Sequence, residues 1–137
     1  SDGLLAQCGI DLDTHRGEIA SGNLSALRGC PFVLGSAEDI GGRIGRGLLR
    51  SSGVSPVSKA TSENVETLLA LCAQGVGACF CPENLLQTAL SPAQLARLHI
   101  LPLCPEASYP ICFGYLKRSY QWSMISEFIR IAREQIE

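Results

Sequence analysis

The fold of this chain is decided by residues 60–83, which read ATSENVETLLALCAQGVGACFCPE. Thr61 and Ser62 suit a helix N-cap, because their hydroxyls can accept hydrogen bonds from free backbone N–H groups. Apolar residues then recur at helical spacing, at Val65, Leu68, Leu69 and Cys72. Gly75 suits a left-handed helix end, and residues 76–81 are a short apolar run, typical of a buried strand, before Pro82. The segment predicts a helix followed by a parallel strand.

The rest of the chain repeats this alternation. Strands are predicted over 31–35 and 57–60, with a helix from about 36 to 52 between them. Two short helices over 83–98, strands near 100–103 and 110–116, and a helix over 120–137 with Ser119 as its cap complete the pattern. Residues 4–12 suit a strand or crossover and residues 13–22 a polar loop. We therefore predict an α/β fold with a doubly wound, mainly parallel sheet and helices on both faces.

Composition narrows the class of protein. The chain has 137 residues, 46% of them hydrophobic, and a formal net charge of −2, which argues against contact with a phosphate backbone. It contains no apolar run long enough to cross a membrane, so no membrane contact is expected, and its reduced-looking cysteines without a signal sequence predict a cytoplasmic protein. The odd number of cysteines favours buried, reduced thiols. The alternative is a redox sensor, since Cys79 and Cys81 would share one face of a strand.

Motifs of catalysis are absent from the sequence. There is no Gly-x-Ser-x-Gly elbow, no P-loop and no dinucleotide fingerprint after a strand. His15 and His99 have no carboxylate or cysteine neighbours at metal-ligand spacing. The sequence predicts neither an enzyme nor a site for a metal or a cofactor.

Polar residues follow two of the predicted strands. In a doubly wound sheet, ligands bind outside the carboxyl ends of the strands. Gly35 and Ser36 follow the first strand, and Thr61 and Ser62 follow the second. The hydroxyls could bind a ligand or serve only as helix caps. Cys81 and Pro82, at the end of the third predicted strand, complete the candidate ligand site, and Phe80 before them suits either the core or the site.

The charged residues near these junctions bear on the ligand. Glu38 and Glu63 would repel an anion, which leaves a neutral or cationic ligand open. Arg43 and Arg46 on the first helix could reach an acidic ligand, or could belong to a solvated face.

Two motifs resemble a known family. Residues 74–82, QGVGACFCP, are similar to the helix-glycine-strand signature of LysR-type transcriptional regulators, and residues 24–34, LSALRGCPFVL, resemble the entry to the second lobe of their effector-binding domain. The resemblance implies one lobe of a periplasmic-binding-protein-like domain. Residues 1–22 would be a remnant of the first lobe and a loop, 23–118 the second lobe, and 119–137 a helix that returns to the first lobe.

The resemblance also implies a function. In this family a small-molecule effector binds between the lobes, and by position Ser36 and Thr61 would contact it. The regulator would be a homodimer that binds DNA through a winged helix-turn-helix absent from this chain. Two alternatives stay open: a lobe of a transporter solute-binding protein, and an interaction module that uses the last helix. Without a first lobe, the apolar face of that helix would fold back on this lobe or pack against a second copy.

Overall fold

A computed structural model describes residues 1–104, 107, 108, 110, 112, 114, 116 and 122–135. Two strands, β1 (Pro31–Leu34) and β2 (Val57–Thr61), lie among the helices. The longer helices are α1 (Asp2–Cys8), α2 (Leu12–Ala20), α3 (Ile40–Ser51), α4 (Val65–Ala73) and α7 (Ser123–Glu134). Short helical turns comprise α5 (Leu86–Ala89), α6 (Pro92–Leu95) and the 3₁₀ segments Ser25–Leu27 and Glu83–Leu85. The predicted α/β class is confirmed.

Strand β1 is the centre of the sheet. It pairs with β2 in parallel, with Leu34 opposite Thr61. On its other edge, the Val33 N–H donates to the Ala78 carbonyl at 2.8 Å, and the Ala78 N–H donates to the Pro31 carbonyl at 2.9 Å. The strand predicted over 76–81 is reduced to this single parallel bridge at Ala78. Its position and direction were predicted correctly, but its length was not.

Helix α4 begins at a different cap from the one that the sequence predicted. Asn64, not Thr61 or Ser62, is the N-cap of α4, and its side chain accepts a hydrogen bond from the Thr67 N–H at 3.0 Å. Strand β2 continues through Thr61, which displaces the helix start downstream. The predicted left-handed helix end is confirmed, because Gly75 has φ 79°.

The N-terminal predictions were wrong. Residues 4–12 and 13–22 are neither strand nor loop but two helices, α1 and α2. Gly9, at φ 63°, ends α1, and the Asp11 side chain caps the start of α2. Leu12 and Ile19, seven positions apart, are both buried on one face of α2, a helical spacing that outweighs the polar residues between them.

The main core lies between α1, α2, α3 and β1. Its best buried large side chains include Ile19, Leu24, Phe32 and Leu49. A second cluster joins α4 to α5 through Leu69, Ala73, Leu86 and Leu90. The main core fixes α3 against β1, and the second cluster fixes α4 against α5.

The structure tests only some of the predictions made for residues 100–137. Residues 100–103 form no strand. The strand predicted near 110–116 and the cap predicted at Ser119 lie at least partly outside the described residues. Helix α7 is confirmed, but it buries no side chain, and its exposed apolar residues include Trp122, Met124 and Ile125. The helix has therefore not folded back on the described part of the lobe.

Helix α3 approaches the sheet at Gly45. A Cβ there would overlap the Phe80 ring, which cannot move away because it stacks on Phe32. We expect Gly45→Ala to lower the free energy of unfolding by about 2 kcal/mol, since overpacking costs up to about 3 kcal/mol and the gain in helix propensity is about 1 kcal/mol. Urea unfolding measures this change.

The matched control is Gly47→Ala in the same helix. Gly47 is exposed, and a methyl group at its Cβ position would have no neighbouring atom within 4 Å. This variant should therefore gain about 1 kcal/mol of stability from helix propensity alone. Equal stabilisation by both substitutions would show that α3 does not pack on Phe80.

Candidate functional site

The two predicted junctions lie side by side. Parallel pairing places Leu34, the last residue of β1, opposite Thr61, the last residue of β2. Just beyond, the Ser62 N–H donates to the Leu34 carbonyl oxygen at 3.2 Å. Gly35 and Ser36 therefore leave the sheet at the same edge as Thr61 and Ser62. The parallel direction of the two strands predicts that these four residues lie close together.

The hydroxyl groups at this edge differ in their hydrogen bonding. Ser36 Oγ and Ser62 Oγ each accept a hydrogen bond from the backbone N–H two residues downstream, at 3.2 and 3.1 Å. The exposed Thr61 hydroxyl has no hydrogen-bond partner among the described residues. Asp39 and Asn64 are the caps of α3 and α4, so the interpretation of Ser36 and Thr61 as helix caps was wrong. Thr61 can both donate to and accept from a ligand.

Arg46 holds the start of α3 against the end of β1. Its Nη1 donates to the Gly35 carbonyl at 2.8 Å and to the Gly42 carbonyl at 3.3 Å. A Cβ at Gly42 would overlap the carbonyl oxygen of Ser36, so the helix can approach this closely only at a glycine. Arg46 thus has a structural role in shaping the edge, whereas Arg43 lies exposed in solvent.

A cavity of about 390 Å³ lies beside the third parallel segment. Cys81 and Pro82 line it, together with the beginning of α3 and residues 98–104. Gly35, Ser36, Thr61 and Ser62 do not line it. Most of the wall is apolar, and typical members are Ile44, Leu69, Phe80, Leu86, Leu98 and Leu101. The cavity suits an apolar group of a small ligand.

Phe80 belongs to both the core and the cavity. Its ring stacks on Phe32, with centroids 6.0 Å apart and planes 3° from parallel, and the residue also lines the cavity. The sequence left these two roles as alternatives, and the structure combines them.

Three thiols meet in the cavity wall. Cys79 is the central thiol, and its hydrogen bonds with Cys72 and Cys81 lower the pKa of both. For Cys72 this interaction outweighs burial and brings the pKa to about 7. The pKa of Cys79 itself is raised, first because the Cys72 sulfur accepts its proton in a hydrogen bond. Cys30, in the core, differs: burial first, then Cys8, raises its pKa to about 12.

Sequence reasoning placed Cys72 in the apolar stripe of α4 and missed its contact with the strand thiols. The one available signal was the occurrence of three cysteines within ten residues, at 72, 79 and 81. Because Gly75 reverses the chain after α4, the last turn of the helix faces the residues that follow. The cavity also contains Cys104, which the sequence did not indicate.

Comparison with protein families identifies the chain. The family model described as the LysR substrate binding domain matches residues 15–137. The chain belongs to this family. No curated protein and no solved structure matches it significantly.

The LysR substrate-binding domain explains the architecture. Such domains have a periplasmic-binding-protein-like α/β fold, which agrees with the small parallel sheet and the many helices seen here. They belong to transcriptional regulators that respond to effectors, rather than to enzymes. The predicted family is confirmed.

The described residues contain neither a metal-binding cluster nor a membrane-spanning helix. No group of three or more His, Cys, Asp or Glu residues in this part of the chain is arranged to hold a metal ion. Across the same residues, none of the helices has the length and hydropathy needed to span a membrane.

The lowered pKa of Cys72 can be measured directly. We expect thiolate absorbance near 240 nm to rise in a step centred near pH 7, because the Cys79 thiol stabilises the Cys72 thiolate. Cys72→Ser should reduce this step, with Cys81 left as the other thiol whose pKa Cys79 lowers, and Cys30→Ser should leave it unchanged. A step of equal size in Cys72→Ser would place the acidic thiol elsewhere.

Proposed function

We propose that this LysR substrate-binding domain senses a small-molecule effector held in the cleft between this lobe and a second lobe. The observation that carries the proposal is the exposed Thr61 hydroxyl, which lies opposite Leu34 where two parallel strands end and has no hydrogen-bond partner among the residues that the structure describes. The backbone at Thr61 is held by its pairing with Leu34, and Arg46 holds the neighbouring Gly35 carbonyl, so the backbone that carries the hydroxyl is in place before a ligand arrives. Such preorganisation reduces the entropy cost of binding.

The same edge suggests what kind of molecule binds. Gly35, Ser36, Thr61 and Ser62 offer polar groups after β1 and β2, whereas Cys81 and Pro82 adjoin the apolar cavity. Ala78 bridges to β1 in parallel, so the chain that follows it leads towards the same edge. A ligand with a polar end and an apolar body would use both parts. The exposed Glu38 and Glu63 disfavour an anionic end.

The effect on transcription would be a population shift. An effector that binds one arrangement of the lobes more tightly than another favours that arrangement. In the intact regulator, a winged helix-turn-helix outside this segment would then contact DNA in the cytoplasm. The net charge of −2 of this segment agrees with a sensing role rather than direct DNA contact. The family match favours this function over a transporter lobe.

Thr61→Ala tests the site in a two-lobed protein that carries this segment. Thermal denaturation is followed against a panel of small metabolites, with Ser36→Ala measured alongside. A compound that raises the midpoint of the parent by mass action should raise it much less in Thr61→Ala, because the ligand loses a hydrogen bond worth about 1 kcal/mol, which is about fivefold in affinity.

The matched control is Ser58→Ala, which removes another exposed hydroxyl from β2, away from the carboxyl edge. It should respond to the compound as the parent does. Stabilisation of Thr61→Ala and Ser36→Ala equal to that of the parent would contradict a site at this edge. If no compound has any effect, the interaction-module alternative is favoured.

Helix α7 supports the proposal of a homodimer. Trp122, Met124 and Ile125 are exposed on it, at 65%, 75% and 41% of their full surface, and a helix face of this kind favours association with a second copy. The polar side carries Arg130, which bridges Glu127 and Glu134.

Substitution on the two faces of α7 tests this interface. We expect Ile125→Lys to weaken self-association measured by sedimentation equilibrium by at least about tenfold, because a charge would be buried in an apolar contact. Ser126→Lys places the same charge on the polar face and should leave association unchanged. Equal association of both variants would show that α7 is not the dimer contact.

A further inference from the structure

The cavity wall contains a cluster of three thiols. They have no part in the hydrogen bonding to an effector proposed for Thr61 and Ser36. Cys72 comes from the last turn of α4, and Cys79 and Cys81 come from the parallel segment that bridges to β1. All three are partly exposed, so a molecule in the cavity can touch them. Cys30 is buried in the core and Cys112 is exposed outside the cavity wall.

The arrangement assigns different roles to the three thiols. Cys79 lines the cavity wall together with the other two thiols, and its S–H can donate its proton to only one of their sulfurs at a time. Cys72 is held by a helix whose neighbouring Leu68 and Leu69 are buried, whereas Cys81 lies in an irregular segment. The better fixed acceptor is therefore Cys72. A thiolate that is held beside a donor is a nucleophile ready for reaction.

The surroundings select the kind of electrophile. The cavity wall around Cys72 is built mainly from aliphatic and aromatic side chains, among them Leu69, Phe80 and Leu86. No arginine or lysine lies in that wall among the described residues. An uncharged, largely apolar molecule loses least on entering such a space, whereas an anion would lose its hydration and meet the Glu83 carboxylate, with His99 in the wall already paired to Asp2.

We propose that the cavity captures an apolar α,β-unsaturated carbonyl compound covalently, with Cys72 as the nucleophile and Cys79 as the hydrogen-bond donor that positions its thiolate. The inference rests on the proposed function, because it takes the cavity as part of the effector site. It deepens that function by naming a chemical class of effector.

The reaction is an addition in which no electrons are gained or lost overall. Cys72 first gives its proton to solvent. The thiolate sulfur then forms a bond to the β-carbon of the unsaturated compound, and the electron pair of the carbon–carbon double bond moves to form an enolate. The enolate takes up one proton from solvent, so atoms and charge balance without an oxidant or a leaving group.

The acidity of Cys72 supports this assignment. With its pKa lowered to about 7 by Cys79, roughly half of Cys72 is thiolate at neutral pH. An ordinary thiol of pKa about 8.5 would be about 3% thiolate at the same pH. Because a thiolate of lower pKa is also a weaker nucleophile, the net gain in rate is about threefold.

The test compares two alkylating reagents on the whole chain. N-phenylmaleimide is an apolar unsaturated carbonyl compound, and iodoacetate is a charged reagent of similar thiol selectivity. Each is added below one equivalent at pH 7, and the modified peptides are quantified by mass spectrometry. We expect N-phenylmaleimide to modify Cys72 first. The ratio of Cys72 to Cys112 labelling should be on the order of tenfold higher with N-phenylmaleimide than with iodoacetate, because part of the phenyl ring is buried in the cavity.

Other labelling patterns would overturn the proposal. Preferential modification of Cys112 by both reagents would show that exposure alone controls the reaction. Preferential modification of Cys104 or Cys81 would retain the cavity but reject Cys72 as the nucleophile. The same ratio with both reagents would reject the apolar class of ligand.

Variants of Cys79 test its positioning role. Cys79→Ala removes the donor and should slow labelling of Cys72 at pH 7 by about threefold, with a shift of the pH profile to higher pH. Cys79→Ser keeps a donor at the same place and should retain most of the rate. Equal rates in the two variants would show that Cys79 has only a packing role.

A saturated analogue separates this inference from the proposed function. N-phenylsuccinimide has nearly the same shape as N-phenylmaleimide but cannot react with a thiol. If it raises the melting temperature and slows Cys72 labelling by iodoacetate, the cavity binds ligands. Under that condition, failure of selective labelling by N-phenylmaleimide would overturn only the covalent inference. If the analogue has no effect and labelling is also unselective, the cavity has failed as an effector site as well.

Discussion

The structure depends on the hydrogen bonding of β1, which has a parallel neighbour on each side. Thr61 ends β2 next to Leu34, and Ala78 bridges to Phe32 on the opposite side. Because all three segments run in the same direction, their carboxyl ends must open at one edge of the sheet. Helix α3 is then fixed by two close contacts, one between Gly42 and the Ser36 carbonyl and one between Gly45 and the Phe80 ring. The candidate site is a consequence of this direction.

Two parts of that site have different chemistry for a structural reason. After β1 and β2 the chain leaves the sheet and leads into α3 and α4. The residues between strand and helix include the hydroxyls of Ser36 and Ser62 and the carboxylates of Glu38 and Glu63. After Ala78 the chain continues past Phe80, and residues 79–84 line one cavity together with residues 98–104, which creates an apolar wall. A ligand at this edge would therefore meet hydrogen-bonding groups in one part and a hydrophobic cavity in the other. The three thiols lie in the hydrophobic part, where an uncharged electrophile can approach them.

The sequence predicted the features that depend on short-range patterns. The α/β class, strand β1, helices α3 and α4, the left-handed Gly75 and the closing helix all follow from apolar spacing and glycine positions. The N-terminal helices did not, because polar residues at 13–18 cover all but one face of α2, and only burial of Leu12 and Ile19 reveals that face. The caps were missed by two to three residues, since pairing with Leu34 extends β2 through Thr61 at the expense of the helix start. Neighbouring strands were predictable, but the meeting of Cys72 with Cys79 was not, because it depends on how α4 packs back on the segment that follows it.

The central claim is that the carboxyl edge of the parallel sheet and the adjoining cavity form one ligand site. Its most direct test is the change in backbone amide chemical shifts of the chain during titration with N-phenylsuccinimide. We expect the largest changes at residues 79–82 and in the first turn of α3, with smaller changes at Ser36. Changes confined to α7, or spread evenly over the surface, would contradict the claim.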